Sequence, residues 1–120
     1  MLSLQQVYDS IGADYKGVLE RLPSEDFVRR FALKFLDDQS FAQLQQAMQA
    51  RDAEAAFRAA HTLKGVCQNL GFANLYAPDA ALTEALRGGT LAGADKLFPA
   101  VEAEYQRTVE ALQAYQAQQS

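Results

Sequence analysis

Apolar residues at 56, 59, 60, 63, 66, 67 and 70 recur at helical spacing, and Gly71 follows the last of them. Such a run predicts one amphipathic helix with a single buried stripe centred on Leu63, ended by a glycine suited to a left-handed cap. A stripe of this kind must be covered by other elements. Ala, Leu, Gln and Glu dominate the chain and β-branched residues are few, so those elements are predicted to be helices.

The segments on either side agree. Residues 3–11 read as a short helix presenting Leu4, Val7, Tyr8 and Ile11, ended by Gly12. Asp14 then caps a second short helix through Leu22, which presents Tyr15, Val18, Leu19 and Leu22. Pro23 marks a break, and Ser24 is an N-cap with Glu25 and Asp26 in the first turn, where carboxylates suit the helix dipole. The helix it opens runs to about Asp38 and carries Phe27, Val28, Phe31, Leu33, Phe35 and Leu36. That is more apolar surface than one stripe needs. A helix buried on two sides is the simpler expectation, and a face that meets a partner is the other.

Ser40 starts the next helix, with Phe41, Leu44, Ala47 and Met48 inward, and the break at Gln39-Ser40 fits one kinked helix or a pair. Asp52 caps the helix of the stripe. After Gly71, Asn74 is the expected N-cap and Pro78 falls in the first turn, where a missing amide costs least. Leu82 and Leu86, with Leu75 or Asp79, continue that helix to Arg87, and Gly88-Gly89 closes it. The last helix spans 91–116, weakened early by Gly93 and Pro99, with a frayed tail over 116–120. Its buried face is Leu97, Val101, Tyr105, Thr108, Val109, Leu112 and Tyr115. The prediction is an all-α fold in one domain, 1–120. It is an antiparallel up-and-down four-helix bundle over about 24–117, with short accessory N-terminal helices over 1–22.

His61, the only histidine, lies on the stripe-bearing helix but roughly 160° from the centre of the stripe. Its neighbours one or two turns away are Glu54, Phe57, Arg58, Lys64, Gly65 and Gln68. A single helical histidine is most often a surface residue of no consequence. Gly65 argues otherwise, because glycine inside a helix costs about 1 kcal/mol relative to alanine and calls for a reason of packing or access. Beside an exposed imidazole the reason is close approach by something large, and Lys64 suits an anion carried on the ring. His61, Lys64 and Gly65 together read as a phosphoryl acceptor site.

The string His61-Thr62-Leu63-Lys64-Gly65, preceded by Ala59-Ala60 and followed by Leu70-Gly71, resembles the signature of histidine phosphotransfer (HPt) domains. The resemblance extends in pattern from the Ser24 helix to the last helix. It departs mildly at Val66-Cys67, where small or hydroxyl residues are frequent. It implies a four-helix bundle whose exposed histidine carries a phosphoryl group between receiver domains of two-component phosphorelays. It also implies that Mg2+ and most catalytic groups belong to the receiver. His61 is then the nucleophile and carrier, and Lys64 helps neutralise the phosphoryl oxygens. Gly65 admits the receiver's rim, and Gln68 orients the ring or bonds a phosphoryl oxygen. Phe57 offers a docking surface or packs on the Ser24 helix, with Arg58 and Glu54 at the rim.

Other chemistry lacks its residues. One His and one Cys on opposite faces of a helix make a zinc or di-iron site improbable. Thr62 stands about 100° round the helix from His61, too far to share a hydrogen bond as a nucleophile. No glycine-rich phosphate loop appears, so the chain is not expected to make its own phosphoryl donor or to act as an enzyme. With 11 basic against 15 acidic residues, no nucleic-acid partner is expected. Cys67, on the apolar stripe, is expected to be a small buried hydrophobe in a reducing compartment. No apolar run reaches membrane-spanning length and the N-terminus lacks signal-peptide regions, so a cytoplasmic monomer is expected. Its expected partners are response-regulator receiver domains and a hybrid histidine kinase; Met1 and the N-terminal helices favour a stand-alone protein over a piece of such a kinase. The alternatives are a catalytically silent helical adaptor that binds a receiver without carrying phosphate, and a helical oligomerisation module.

Overall fold

A computed structural model describes residues 1–119, whose regular structure is entirely helical. In chain order the helices are α1 (Leu4–Ile11), α2 (Tyr15–Arg21), α3 (Glu25–Lys34), α4 (Ser40–Gln49), α5 (Ala53–Leu70), α6 (Ala73–Leu86) and α7 (Ala94–Gln119), with a 3-10 turn at Phe35–Asp37. Side chains close to the helix ends set most of these bounds. Ser3 and Gln6 form a reciprocal capping box on α1, and Gly12 ends it at φ 77°. The side chains of Asp14, Ser24 and Asp52 accept from the backbone N–H of Gly17, Phe27 and Ala55, opening α2, α3 and α5. Gly71 closes α5 in the left-handed conformation at φ 72°.

Helices α4 to α7 make the bundle. Neighbours in sequence pack along one another, α4 on α5, α5 on α6 and α6 on α7. The ring closes between α4 and α7, where Phe41 stacks on Tyr105 with centroids 3.9 Å apart. At one end Arg51 makes a two-pronged ion pair with Asp95 (2.7 and 2.9 Å), tying the α4–α5 turn to the start of α7. At the other end α1 and α2 gather around the α5–α6 turn. The Tyr8 hydroxyl donates to the Leu70 carbonyl at 2.7 Å, and the Asp14 N–H donates to the Gly71 carbonyl at 2.7 Å. Phe72 is wholly buried there between Tyr8 and Phe35, at centroid distances of 5.5 and 5.1 Å.

Several sequence expectations need correction. The choice left open for 24–49 is decided for a pair of helices, because the Phe35–Asp37 turn interrupts the segment and the Asp38 carboxylate accepts from the Ser40 N–H at 2.9 Å. Asn74 is not the N-cap of α6. Burial of Phe72 turns the chain straight back into helix at Ala73, and the Asn74 amide instead donates to Glu104 and Thr108 of α7, each at 3.0 Å. Pro78 therefore sits beyond the first turn of α6, and Pro99 lies inside α7 without ending it. Residues 116–119 are helical; Gln118 reaches Leu2 through its amide, which gives the last turn a partner. Position 120 lies outside the described residues. The apolar surplus of α3 is not buried on two sides. Val28 and Ala32 face the core, whereas the Phe27 and Phe31 rings meet each other at a tilt, with centroids 4.4 Å apart and Phe31 40% exposed. No helix among the described residues is long and apolar enough to cross a membrane.

Candidate functional site

Six of the seven positions of the α5 stripe are buried as the spacing predicts, Ala56, Ala59, Ala60, Leu63, Cys67 and Leu70, and the seventh, Val66, is half-buried. That rotation fixes where the other face points. His61 lies midway along α5 and is exposed, together with Gly65 and Gln68, while Lys64 is half-buried. The imidazole makes no hydrogen bond among the described residues. Its ring neighbour is Phe57, one turn earlier, at 5.9 Å between centroids.

Phe57 is half-buried against the core. The Arg87 guanidinium, just past the end of α6, lies 5.2 Å over its ring. Arg87 is held in turn by Glu84 through two bonds of 2.9 and 3.0 Å. Those contacts, with the charge of Lys64, keep the Glu84 carboxyl below its ordinary range, Arg87 being the larger cause. Arg58 pairs with Glu54 at 2.8 Å on the outer side of α5, and the Thr62 hydroxyl donates to the Arg58 carbonyl at 3.0 Å. The face around His61 thus presents an aromatic ring, three cations (Arg58, Lys64 and Arg87) and two carboxylates.

Lys64 forms no ion pair among the described residues, so its ammonium is available to an anion. Gly65 borders open space: a methyl group built there would meet nothing within 4 Å. No intramolecular packing explains the glycine. Gln68 lies two turns from His61, about 10 Å along the axis, and its side chain makes no bond to the ring; its backbone carbonyl accepts from Arg21 at 2.8 Å. That places Gln68 at the edge of the face towards α2.

Cys67 is fully buried, and burial pushes its thiol well above the ordinary range, which leaves it unreactive. Among the described residues no group of three or more His, Cys, Asp or Glu side chains could hold a metal ion.

Two features escaped the sequence reading. Arg87 serves there only as a helix end, and only tertiary packing brings it over Phe57. Asp79 stands there merely as an alternative to Leu75 on the inner face of α6, yet it is 0% exposed and neither carboxyl oxygen has a hydrogen-bond partner. Burial pushes its carboxyl up to about 7, against a smaller downward pull from Lys64. The detectable signal was an acidic residue within the apolar row Leu75, Leu82 and Leu86.

The Hpt-domain family model matches residues 36–115, from within the 3-10 turn through α4, α5 and α6 to most of α7. No curated protein and no solved structure matches the chain. With well over half of its 120 residues matched and a four-helix bundle to match, the chain belongs to the Hpt-domain family, phosphoryl carriers rather than kinases that work with receiver domains in phosphorelays.

Proposed function

We propose that this chain accepts a phosphoryl group on His61 from the aspartate of one receiver domain and returns it to another. One observation carries the reading: an exposed imidazole without intramolecular bonds, midway along a bundle helix, beside an unpaired ammonium and an open glycine. An imidazole is nucleophilic near neutral pH, where much of it is unprotonated. Its outer nitrogen attacks the phosphorus of an aspartyl phosphate in line. An N–P bond forms, the P–O bond to the aspartate breaks, and the carboxylate departs on the receiver. The other ring nitrogen keeps its proton. Lys64 neutralises the phosphoryl oxygens, while Mg2+ and the remaining catalytic groups come with the receiver. Gly65 leaves room for the receiver's rim. Phe57, Arg58 and Glu54 form one side of the docking surface and Gln68 the other, where it meets a phosphoryl oxygen or the partner rather than the resting ring. A hybrid histidine kinase serves as the upstream source through its own receiver.

The test is transfer from a panel of labelled, phosphorylated receivers to the wild type and to His61→Gln. Acid-labile, alkali-stable label on the wild type alone is expected, with the same helical circular dichroism in both. A folded wild type that binds a receiver yet takes no label would make it a silent adaptor.

Gly65→Ala separates access from stability. It is expected to raise unfolding free energy by up to about 1 kcal/mol, because alanine is the better helix former and nothing opposes its methyl group. Transfer from a receiver is expected to slow by about tenfold or more, the effect of a misplaced reactant. Urea unfolding and transfer rates, measured together, check this. A faster or unchanged transfer would remove the steric role of Gly65.

A further inference from the structure

We propose that Asp79 is a positioning residue for Lys64: a buried carboxylate that draws the ammonium over α6 and competes for it with the phosphoryl group on His61. The competition with phosphate rests on the function proposed above. The pairing of the two side chains does not.

The placement comes from the α5–α6 hairpin. The two helices are antiparallel and closely packed, joined at Gly71 and Phe72. Lys64 lies seven residues before Gly71 and Asp79 eight after it, so they stand at the same level on facing helices. Asp79 points inward, wholly buried, and both its carboxyl oxygens lack a donor. Only its backbone carbonyl is bonded, by the Thr83 hydroxyl at 2.8 Å. A buried carboxyl in that condition is costly unless a counter-charge lies near.

Lys64 supplies it. At the same level on α5 and without closing to an ion pair, it pulls the Asp79 carboxyl down against burial and, as the smallest cause, lowers Glu84 as well. The other groups around Asp79 are accounted for. On α5 the Cys67 thiol is its titratable neighbour, feeling the Asp79 charge after the larger effect of burial. On α7 the ionisable side chain bonded to α6 is Glu104, which is held by Asn74 and Arg107 more than a turn away. On α6 itself Glu84 is committed to Arg87.

The consequence is a linkage between phosphorylation and a proton. While His61 is free, the Lys64 ammonium favours the charged form of Asp79. A phosphoryl group on His61, one turn from Lys64, draws the ammonium outward and leaves Asp79 without its counter-charge, so the carboxyl takes up a proton. By reciprocity a protonated Asp79 frees Lys64 and favours the phosphorylated site.

The direct test is the side-chain carboxyl carbon of Asp79, followed by NMR against pH and assigned by its loss in Asp79→Asn. In Lys64→Met, which keeps the apolar stem on the surface, its midpoint is expected to rise by about half a unit or more. An unchanged or lowered midpoint would overturn the pairing, whatever His61 does. In the second arm, phosphate acceptance from a labelled receiver is followed from pH 6 to about 8 in wild type and Asp79→Asn. The variant is expected to lose a fall in acceptance that the wild type shows as pH rises. Identical profiles with a shifted Lys64→Met midpoint would confine the pairing to the resting protein and end the competition. Failure of both proteins to accept phosphate would also end it, together with the proposed function, while the midpoint still decides the pairing. If Asp79→Asn does not fold, the midpoint of Asp79 in phosphorylated against unphosphorylated wild type replaces that arm, and no rise on phosphorylation overturns the competition.

Discussion

Gly71→Ala is expected to lower the unfolding free energy by about 3 kcal/mol, a large part of the 5–15 kcal/mol typical of a domain. Two costs add. The residue is at φ 72°, where an alanine loses roughly 1–2 kcal/mol. Its methyl group would also stand 2.7 Å from the Asp14 backbone oxygen and 3.1 Å from the Val18 Cβ, and backbone cannot swing aside as a long side chain can. Relief of that clash must disturb the Asp14 N–H bond to the Gly71 carbonyl and, through it, the seat of α2. Gly12 provides the control, since it is at φ 77° with nothing within 4 Å of an added methyl. Gly12→Ala is expected to cost about 1 kcal/mol, the conformational term alone. Urea unfolding of both variants checks the difference; equal losses would mean that the Asp14 contact contributes nothing.

The second large effect is a fall in stability as pH rises from about 4 to about 7. Burial raises the Asp79 carboxyl from 3.8 to about 7 in the folded protein, so between those values the folded chain holds a proton that the unfolded chain has released. The stabilisation from that proton is fully present below the unfolded value. It is lost progressively as pH rises towards the folded one. Three units at about 1.4 kcal/mol each make the loss on the order of 4 kcal/mol by pH 8. Asp79→Asn removes the titration but leaves a buried amide short of partners, at about 1–3 kcal/mol. It is therefore expected to be less sensitive to pH between 5 and 8 and more stable than wild type at the alkaline end. Urea midpoints for the two proteins at several pH values decide it. Parallel curves would show that Asp79 does not carry the effect.

Both positions show which features were legible in the sequence. Gly71, Gly12, Asp14, Ser24 and Asp52 act through bonds to residues a few places away, so their roles as caps could be read locally. The outward aim of His61 was equally legible, because a helical stripe fixes the opposite face once seven apolar positions are placed. What the sequence misjudged depends on distant partners. Phe72 rather than Asn74 precedes α6 because Tyr8 and Phe35 bury it. The last turn of α7 holds because Gln118 meets Leu2. Phe57 finds Arg87, which only the crossing of α5 and α6 decides. Asp79 was hidden for another reason: its i±4 spacing from Leu75 marks the inner face, whereas its charge argues for the outer one. Periodicity won, and the charge became the informative residue.

The central claim is that His61 carries phosphate. The measurement that tests it most directly is 31P NMR of the protein after reaction with phosphoramidate, a donor that needs no partner. His61 displaces ammonia and gains the phosphoryl group. The expected result is one phosphorus–nitrogen resonance in the wild type, absent from His61→Gln and discharged when an unphosphorylated receiver is added. No such resonance in the folded wild type, or one that persists in His61→Gln, as from the Lys64 amine, would contradict the account.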